Sequence, residues 1–191
     1  MHYIKFDTIE STNDFLKSYA KTKKLPDFFY VYTDRQTKGR GQQSNTWQSD
    51  CCKNILISFF LQPELAVSEQ QQLNQIVAVS IIKVLEKFNI LKLSIKLPND
   101  IMADGKKIAG ILIENVIRHQ TWKQSIIGIG LNVNQTEFVN LPQATSMKLL
   151  TGKDYNQEEI ITLLMQELKV NYKQNPDILS REFERLLITQ P

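Results

Sequence analysis

Apolar residues along this chain fall into short runs of strand length and into longer stretches with helical spacing. Two aromatic-rich runs, at residues 28–33 and 54–61, flank a polar segment, and runs of this composition are typical of buried strands. The same pattern predicts four further strands, over residues 3–7, 90–97, 108–117 and 125–131.

Helical periodicity is clearest between residues 73 and 88, where apolar side chains recur every three or four positions. Residues 68–71 have the form of a capping box and are predicted to open this helix. Ser11 is predicted to cap an earlier helix. The remaining predicted helices cover residues 144–150, a segment that starts at Asn156, and residues 177–187.

The dipeptide Asp104-Gly105 lies between two apolar runs and predicts a two-residue β-hairpin turn. Because a hairpin joins antiparallel neighbours, the alternating strands and helices do not form a doubly wound parallel fold. The sequence therefore predicts an α+β fold, in which helices flank a mixed, largely antiparallel sheet.

The polar segment over residues 35–47, here called the basic loop, has three cations, two glycines and a tryptophan, but no aliphatic residue. Gly39 and Gly41 are predicted to allow positive φ and close approach of backbone N–H groups to a ligand. Between them, Arg40 offers a fork of donors that suits carboxylate or phosphate, and Gln36 adds a neutral amide. The alternative is a solvated surface connection. The glycine spacing is not that of a phosphate-binding loop or a dinucleotide fingerprint.

A second group of polar residues surrounds the predicted hairpin. Lys96, Asn99 and Asp100 precede it, and Lys106 and Lys107 follow the turn. Asp100 is a candidate ligand for Mg²⁺, and a lysine rooted in a strand can neutralise charge that develops on an α-phosphate. The alternative for each residue is local turn chemistry or a solvated hairpin arm.

The 191 residues are 42% apolar and 23% charged with a net charge of +3, which is typical of a globular protein and does not indicate nucleic-acid binding. No apolar run reaches the roughly 18 residues that cross a bilayer, and the N-terminus is unlike a signal peptide, so a cytoplasmic location is expected. The only cysteines, Cys51 and Cys52, are adjacent, a spacing that suits neither an ordinary disulfide nor a metal site. We expect these cysteines to be structural or without a role.

Five sequence blocks occur in one order along the chain. They are residues 11–13, residues 36–41 with Trp47, residues 96–100, residues 107–112 and residues 128–134. In this order they closely resemble the catalytic domain of biotin protein ligases, and the resemblance extends over about residues 4–172.

The resemblance implies a fold related to the class II aminoacyl-tRNA synthetases and to lipoate ligases. It implies a biotin–[acetyl-CoA-carboxylase] ligase reaction in two steps, with biotin and ATP as substrates and Mg²⁺ as cofactor. Biotin attacks the α-phosphate to give biotinyl-5′-AMP, and a lysine of a biotin carboxyl carrier protein then attacks this anhydride. A homodimer is a further implied possibility.

The resemblance also implies roles for particular residues. Those of the biotin and adenylate site would be Ser11, Thr12, Asn13, Gln36, Gly39, Arg40, Gly41, Gln42, Trp47, Lys107, Gly110 and Asn132. Among these, Lys107 is the expected main catalytic cation and Arg40 its companion. Those that would serve ATP, metal or the acceptor lysine are Lys96, Asn99 and Asp100, with Asp100 as the metal ligand.

The chain departs from the family pattern at four positions. Gln42 and Asn45 replace arginines, Ser44 replaces a glycine, and Leu97 stands where tryptophan is usual. Because two cationic donors are lost, we expect weaker retention of biotinyl-AMP than in ligases with the fuller basic loop.

The expected organisation is a single catalytic domain over residues 1–191, without an N-terminal helix-turn-helix segment and hence without DNA binding. The small C-terminal β domain of many relatives is either naturally missing or cut off. Two other functions stay open. One is a lipoate ligase or octanoyltransferase of the same fold, although the polar groups at residues 11–13 and 36 favour biotin. The other is a non-catalytic nucleic-acid-binding module that uses the basic loop.

Overall fold

The computed structural model describes residues 2–188 of the chain. The strands are β1 (Tyr3–Ile9), β2 (Tyr30–Gln36), β3 (Ile55–Leu61), β4 (Leu93–Lys96), β5 (Asp100–Ala103), β6 (Lys106–Arg118) and β7 (Thr121–Leu131). The helices are α1 (Thr12–Thr22), α2 (Gln70–Lys87), α3 (Met147–Thr151), α4 (Gln157–Tyr172) and α5 (Pro176–Leu186).

Over the described residues, these strands form one seven-stranded sheet in the order β1-β2-β3-β7-β6-β5-β4. β1 and β2 pair in parallel, whereas β2 with β3, β4 with β5 and β5 with β6 pair antiparallel. The predicted α+β fold with a mixed, largely antiparallel sheet and flanking helices is therefore confirmed. Within residues 2–188, none of the helices combines the length and the apolar character needed to span a bilayer.

The chain divides into two compact units. The first unit comprises Met1–Gln70 and Ile111–Gly130, and the second comprises Gln71–Gly110 and Leu131–Pro191. The expectation of a single domain stays a prediction.

The core of the first unit forms where α1 covers the strands. Leu16 of α1 packs with Val31, Phe60 and Ile126, which are all buried. Burial of such apolar side chains is the main force that holds a helix on a sheet. This packing fixes the first turn of α1, whose residues the sequence links to ligand binding.

The second unit is built on α2, which carries the predicted apolar stripe and is buried along most of its length. The buried polar residue Asn171 of α4 donates from Nδ2 to Ser80 Oγ of α2 at 2.9 Å. At the other end of this unit, α5 packs on β4, and Ile188 N donates to Ile95 O at 2.9 Å. These contacts support the edge of the sheet that carries the β5–β6 hairpin.

The predicted Asp104-Gly105 hairpin is confirmed, with φ of 48° at Asp104 and 77° at Gly105 between β5 and β6. Positive φ at both turn residues is the requirement of a type I′ turn. A second turn of this kind, at His119 and Gln120, has φ of 47° and 59°. The sequence did not predict its position, because neither residue is a glycine or asparagine.

Several predicted boundaries were wrong for local reasons. The strand expected from residue 90 starts only at Leu93, because Lys92 has φ of 53°. Similarly, Phe28 has φ of 61°, so β2 starts at Tyr30 and runs on to Gln36.

Helix starts also differ from the predictions. α2 begins at Gln70 after a short 3₁₀ turn. The reciprocal capping bond comes from Glu69 rather than from Gln71, since Glu69 Oε2 accepts from Ala66 N at 2.7 Å. α3 begins at Met147 instead of residue 144, because Ser146 Oγ accepts from Leu149 N at 3.1 Å. At α4, by contrast, the predicted Asn156 cap is confirmed.

Candidate functional site

The start of α1 places three polar residues in buried positions. Ser11 caps the helix, since its Oγ accepts from Asp14 N at 3.3 Å, which confirms the capping interpretation. Thr12 and Asn13 follow in the first turn and are 4% and 3% exposed. Because buried polar groups need hydrogen-bond partners, these residues require polar neighbours on the sheet.

Gln36, at the end of β2, is the first of those neighbours. Its Oε1 accepts from Thr12 N at 2.7 Å and from Thr12 Oγ1 at 3.0 Å. Ser58 of β3 is the second, with its Oγ 2.7 Å from Thr12 Oγ1 and 2.5 Å from Asn13 Oδ1. The resulting polar cluster is made of Thr12, Asn13, Gln36, Ser58 and Glu114.

Glu114, in β6, joins the polar cluster to the cations around it. Its carboxylate accepts from Asn13 Nδ2 at 3.0 Å and pairs with Lys17 Nζ at 3.0 Å and with Arg40 at 2.7 Å. Burial alone would raise the pKa of this carboxyl, but the bonds from Asn13 and Lys17 and the charge of Arg40 outweigh burial and lower it. Glu114 is therefore an anion at neutral pH.

Sequence reasoning missed both Glu114 and Ser58. The available signal was weak: Glu114 is the one carboxylate in β6, and Ser58 is the one hydroxyl in β3. The sequence predicts only a strand position for each of them, since their hydrogen-bond partners lie far away in the sequence.

Arg40 is held by two protein carboxylates. Its guanidinium nitrogen Nη2 lies 2.6 Å from Asp14 Oδ1 and 2.7 Å from Glu114 Oε2. Partial burial acts to lower the Arg40 pKa, but Glu114 and Asp14 together raise it above its ordinary value. The side chain is 39% exposed, so a ligand anion can reach a guanidinium that is already oriented.

The loop that carries Arg40 is closed by short backbone contacts. Gly41 N donates to Asn45 O at 2.6 Å, and Trp47 N donates to Gly39 O at 3.0 Å. The expectation of positive φ at Gly39 and Gly41 was wrong, because in this loop the left-handed residue is Gln43, with φ of 52°. Gly39 is instead required for close approach: a Cβ there would lie 2.6 Å from Trp47 O.

Two glycines of β7 accommodate side chains of the first unit. A Cβ at Gly128 would overlap Asn13, and a Cβ at Gly130 would overlap the Trp47 indole ring. The sequence indicated that a ligand or a backbone segment lies close to these glycines, whereas the structure places side chains there. The space that Asn13 and Trp47 occupy is thus open because Gly128 and Gly130 have no side chains.

Lys107 and Asp100 form the central pair of the second unit. Lys107 Nζ lies 2.6 Å from Asp100 Oδ1, with side chains 34% and 24% exposed. The Lys107 backbone is fixed as well, because its N donates to Gln143 O at 2.7 Å and its O accepts from Thr145 N at 2.9 Å. These two bonds also explain why residues 144 and 145 are not helical.

The other predicted residues of the second unit lie nearby in the strands. In the register of the sheet, Asp100 is opposite Lys96 in β4 and Gly110 in β6. Asn132 is buried, and its Nδ2 donates to Thr145 O at 2.9 Å, a bond that holds the segment after β7. Asn99, the last residue of the turn between β4 and β5, is half-buried.

Residues 2–188 do not form a metal site from protein ligands alone. Among residues 2–188, no three His, Cys, Asp or Glu side chains come together as metal ligands. Asp100 offers one carboxylate, which fits Mg²⁺ only in the manner of nucleotide enzymes, where phosphate oxygens and water complete the coordination.

The first unit has a polar cluster beside the basic loop, and the second has a paired lysine on a hairpin. Together with the mixed sheet, these features define the class of biotin and lipoate ligase catalytic domains. The chain belongs to the biotin/lipoate A/B protein ligase family, whose family model matches residues 5–132.

Comparisons with individual proteins agree with this assignment. The chain is 32% identical over 177 residues to the bifunctional ligase/repressor BirA of Bacillus spizizenii, covering 90% of this chain and 54% of that protein. It is 35% identical over 134 residues to BirA of Bacillus subtilis, covering 70% and 41%. The chain thus spans about half the length of these relatives.

A solved structure of biotin protein ligase from Aquifex aeolicus, in complex with biotin and ATP, superposes with a TM-score of 0.84 at 27% identity. The superposition covers 98% of this chain and 78% of that one.

Proposed function

We propose that this protein is a biotin protein ligase. It activates biotin with MgATP to give biotinyl-5′-AMP and pyrophosphate, and it then transfers the biotinyl group to a lysine of a biotin carboxyl carrier protein. The names of the relatives, and the Aquifex ligase solved with biotin and ATP, support this proposal over other acyl ligases of the family.

The proposal rests on the polar cluster of the first unit together with Ser11, which precedes Thr12 at the start of α1. The ureido group of biotin has one carbonyl acceptor and two N–H donors, so its pocket must present both kinds of partner. Ser11 retains a hydroxyl hydrogen after its Oγ has accepted from Asp14 N, and Gln36 retains Nε2, since its Oε1 serves Thr12. An apolar acyl chain would leave these donors unpaired, which costs binding energy.

The proposed roles of the remaining residues follow from their charge and placement. Arg40, oriented by Asp14 and Glu114, binds the anionic end of the ligand. Gly39, Gly41 and Gln42 line the loop, and Trp47 forms an apolar wall for the ligand. In this arrangement, the ligand anion competes with the carboxylates of Asp14 and Glu114 for the Arg40 guanidinium. Ligand binding is therefore coupled to a change in the ion pairs of Arg40.

In the second unit, Lys107 is the proposed catalytic cation. Its ammonium group, already aligned by Asp100, stabilises the negative charge that develops on the α-phosphate during attack by the biotin carboxylate. Mg²⁺, when bound, neutralises the phosphates, and Asp100 is its proposed protein ligand. Lys96 and Asn99 are proposed to contact ATP or the acceptor lysine. Gly110 and Asn132 are proposed to line the floor of the biotin and nucleotide site.

We place the reaction in the cytoplasm, with the carrier protein as the partner. A homodimer is compatible with the proposal but is not required by it.

Single-turnover formation of biotinyl-AMP from biotin and MgATP, followed by mass spectrometry, tests the proposed roles. Lys107→Ala should slow adenylate formation roughly 10²- to 10³-fold, the usual effect of removing one group that stabilises transition-state charge. The matched control is Lys106→Ala on the same hairpin arm, which should retain most of the rate. Equal rates for the two variants would contradict the role of Lys107, and no adenylate from the wild type would contradict the function.

A further inference from the structure

Cys51 and Cys52 lie in the turn that leads from the basic loop to β3, and the proposed ligase reaction does not use them. Both thiols are reduced and exposed. Their Sγ atoms are 2.8 Å apart, with an S–H hydrogen bond between them. The chain has only these two cysteines, so each sulfur has one possible partner within the molecule.

The backbone holds the two thiols side by side. Neighbouring residues in extended structure point in opposite directions, which would separate the sulfur atoms. Here Cys52 has φ of 63°, and this left-handed conformation breaks the alternation. The turn is anchored on both sides, because Cys52 N donates to Asp34 O at 3.0 Å and Asn54 Nδ2 donates to Ser49 Oγ at 3.1 Å.

We propose that Cys51 and Cys52 form a thiol–disulfide exchange site, which reacts with low-molecular-weight disulfides and closes to a reversible bridge between the two adjacent cysteines. This inference is independent of the proposed ligase function.

The reaction has two exchange steps. The Cys51 thiolate attacks one sulfur of a disulfide RSSR and releases one thiolate, leaving R–S attached to Cys51. Cys52 then loses its proton and attacks Cys51 Sγ, which releases the second RS⁻. The two cysteines lose two protons and two electrons in total, and RSSR gains them to become two RSH.

The order of attack follows from the environment of the two thiols. The hydrogen bond to Cys51, together with desolvation and the negative charge of Asp34, raises the pKa of Cys52, and the charge of Lys5 only partly offsets this. The raised pKa keeps Cys52 protonated longer, so Cys51 is the first nucleophile and Cys52 releases the mixed disulfide.

The bridge is expected to be reversible for a geometric reason. Ordinary disulfides join Cα atoms about 4.4–6.8 Å apart, whereas adjacent Cα atoms are only about 3.8 Å apart across a trans peptide. A bridge between neighbours is therefore strained and more readily reduced, which is the property of exchangeable rather than structural disulfides. A site for a metal with three or more ligands is not indicated, since no third ligand joins the pair among residues 2–188.

The test uses the full chain, reduced and then freed of reductant, with oxidised glutathione as the probe. Intact-mass measurement and thiol counting should show loss of both thiols, a mass lower by two hydrogens and no retained glutathione. Reduced dithiothreitol should restore both thiols.

Two matched variants identify the intermediate. Cys52→Ser should stop at a stable adduct of one glutathione on Cys51, and Cys51→Ser should stop at one on Cys52, because neither variant keeps a second thiol that could release the glutathione. Accumulation of glutathione adducts on the wild type, a covalent dimer, or no loss of thiols would each overturn the proposal.

Discussion

Glu114 connects residues that are distant in the sequence, since its carboxylate contacts Asn13, Lys17 and Arg40. Half-buried carboxylates with several charge-assisted bonds stabilise both the fold and the geometry of their partners. Sequence reasoning identified Asn13 and Arg40 but not Glu114, because the link between them exists only after β6 has joined the sheet. We expect loss of the Glu114 carboxylate to disturb the positions of both the Arg40 and the Asn13 side chains.

Glu114→Gln keeps the size of the side chain but removes its charge. At neutral pH we expect a lower melting temperature and biotin binding weakened roughly tenfold, which corresponds to one charge-assisted hydrogen bond. The folded-state pKa of Glu114 lies below the ordinary value. Its stabilising effect is therefore fully present above the unfolded pKa of about 4.3 and is lost as the pH falls through the lower folded pKa.

Melting curves between about pH 7 and pH 3 check this prediction, since the difference between wild type and Glu114→Gln should shrink at the acidic end of that range. Glu86→Gln, on the exposed face of α2, is the matched control and should show little difference at any pH. A difference for Glu114→Gln that does not change with pH would contradict the ionised role of this carboxyl.

Among the helices and strands, the sequence predicted the features that depend on short-range interactions. The Asp104-Gly105 hairpin, the α2 stripe and the Asn156 cap all follow from short-range backbone and side-chain preferences. The start of α3 could not be predicted, because the residues before it bond to the backbone of Lys107. The role of the β7 glycines was likewise beyond the sequence, since it depends on where Asn13 and Trp47 pack.

Gly130→Ala tests how β7 positions the basic loop. The added methyl would overlap the Trp47 indole, so Trp47 must move, and overpacking of this kind costs about 1–3 kcal/mol. We expect a lower denaturation midpoint and weaker ligand binding.

Gly41→Ala is the stability control for this variant. A Cβ there would first meet Asn45 O at 3.4 Å, in ordinary van der Waals contact, so its denaturation midpoint should change little. Equal destabilisation by the two substitutions would mean that Trp47 packing is not the cause.

For the whole molecule, the order of five sequence blocks predicted the family and the fold, and both are confirmed. The site residues were predicted as one set, and the structure groups them within each unit: Thr12, Asn13, Gln36 and Arg40 in the first, Lys107 and Asp100 in the second. Their functional roles stay predictions. Gln42 is one of the four positions at which the sequence is expected to depart from the family pattern, and its effect on adenylate retention stays a prediction.

Gln42→Arg should slow the release of biotinyl-AMP. An added guanidinium at this half-buried loop position can make a charge-assisted bond to the phosphate, worth about 1.5–3 kcal/mol, or roughly a 10- to 100-fold lower off-rate. Stopped-flow release of preformed adenylate measures it. Gln43→Arg adds the same charge at an exposed neighbouring position and should leave the rate nearly unchanged. A slower off-rate in the wild type than in Gln42→Arg would contradict the account.

Calorimetric titration of the purified chain with biotin and with lipoate tests whether the polar cluster, together with Ser11, binds the ureido group of biotin. We predict that biotin binds with a favourable enthalpy and then strengthens ATP binding, while lipoate gives no measurable heat. Arg40→Ala should weaken the biotin titration, with Arg35→Ala as the matched control. Lipoate binding without biotin binding would contradict the substrate assignment and leave the family and the fold intact.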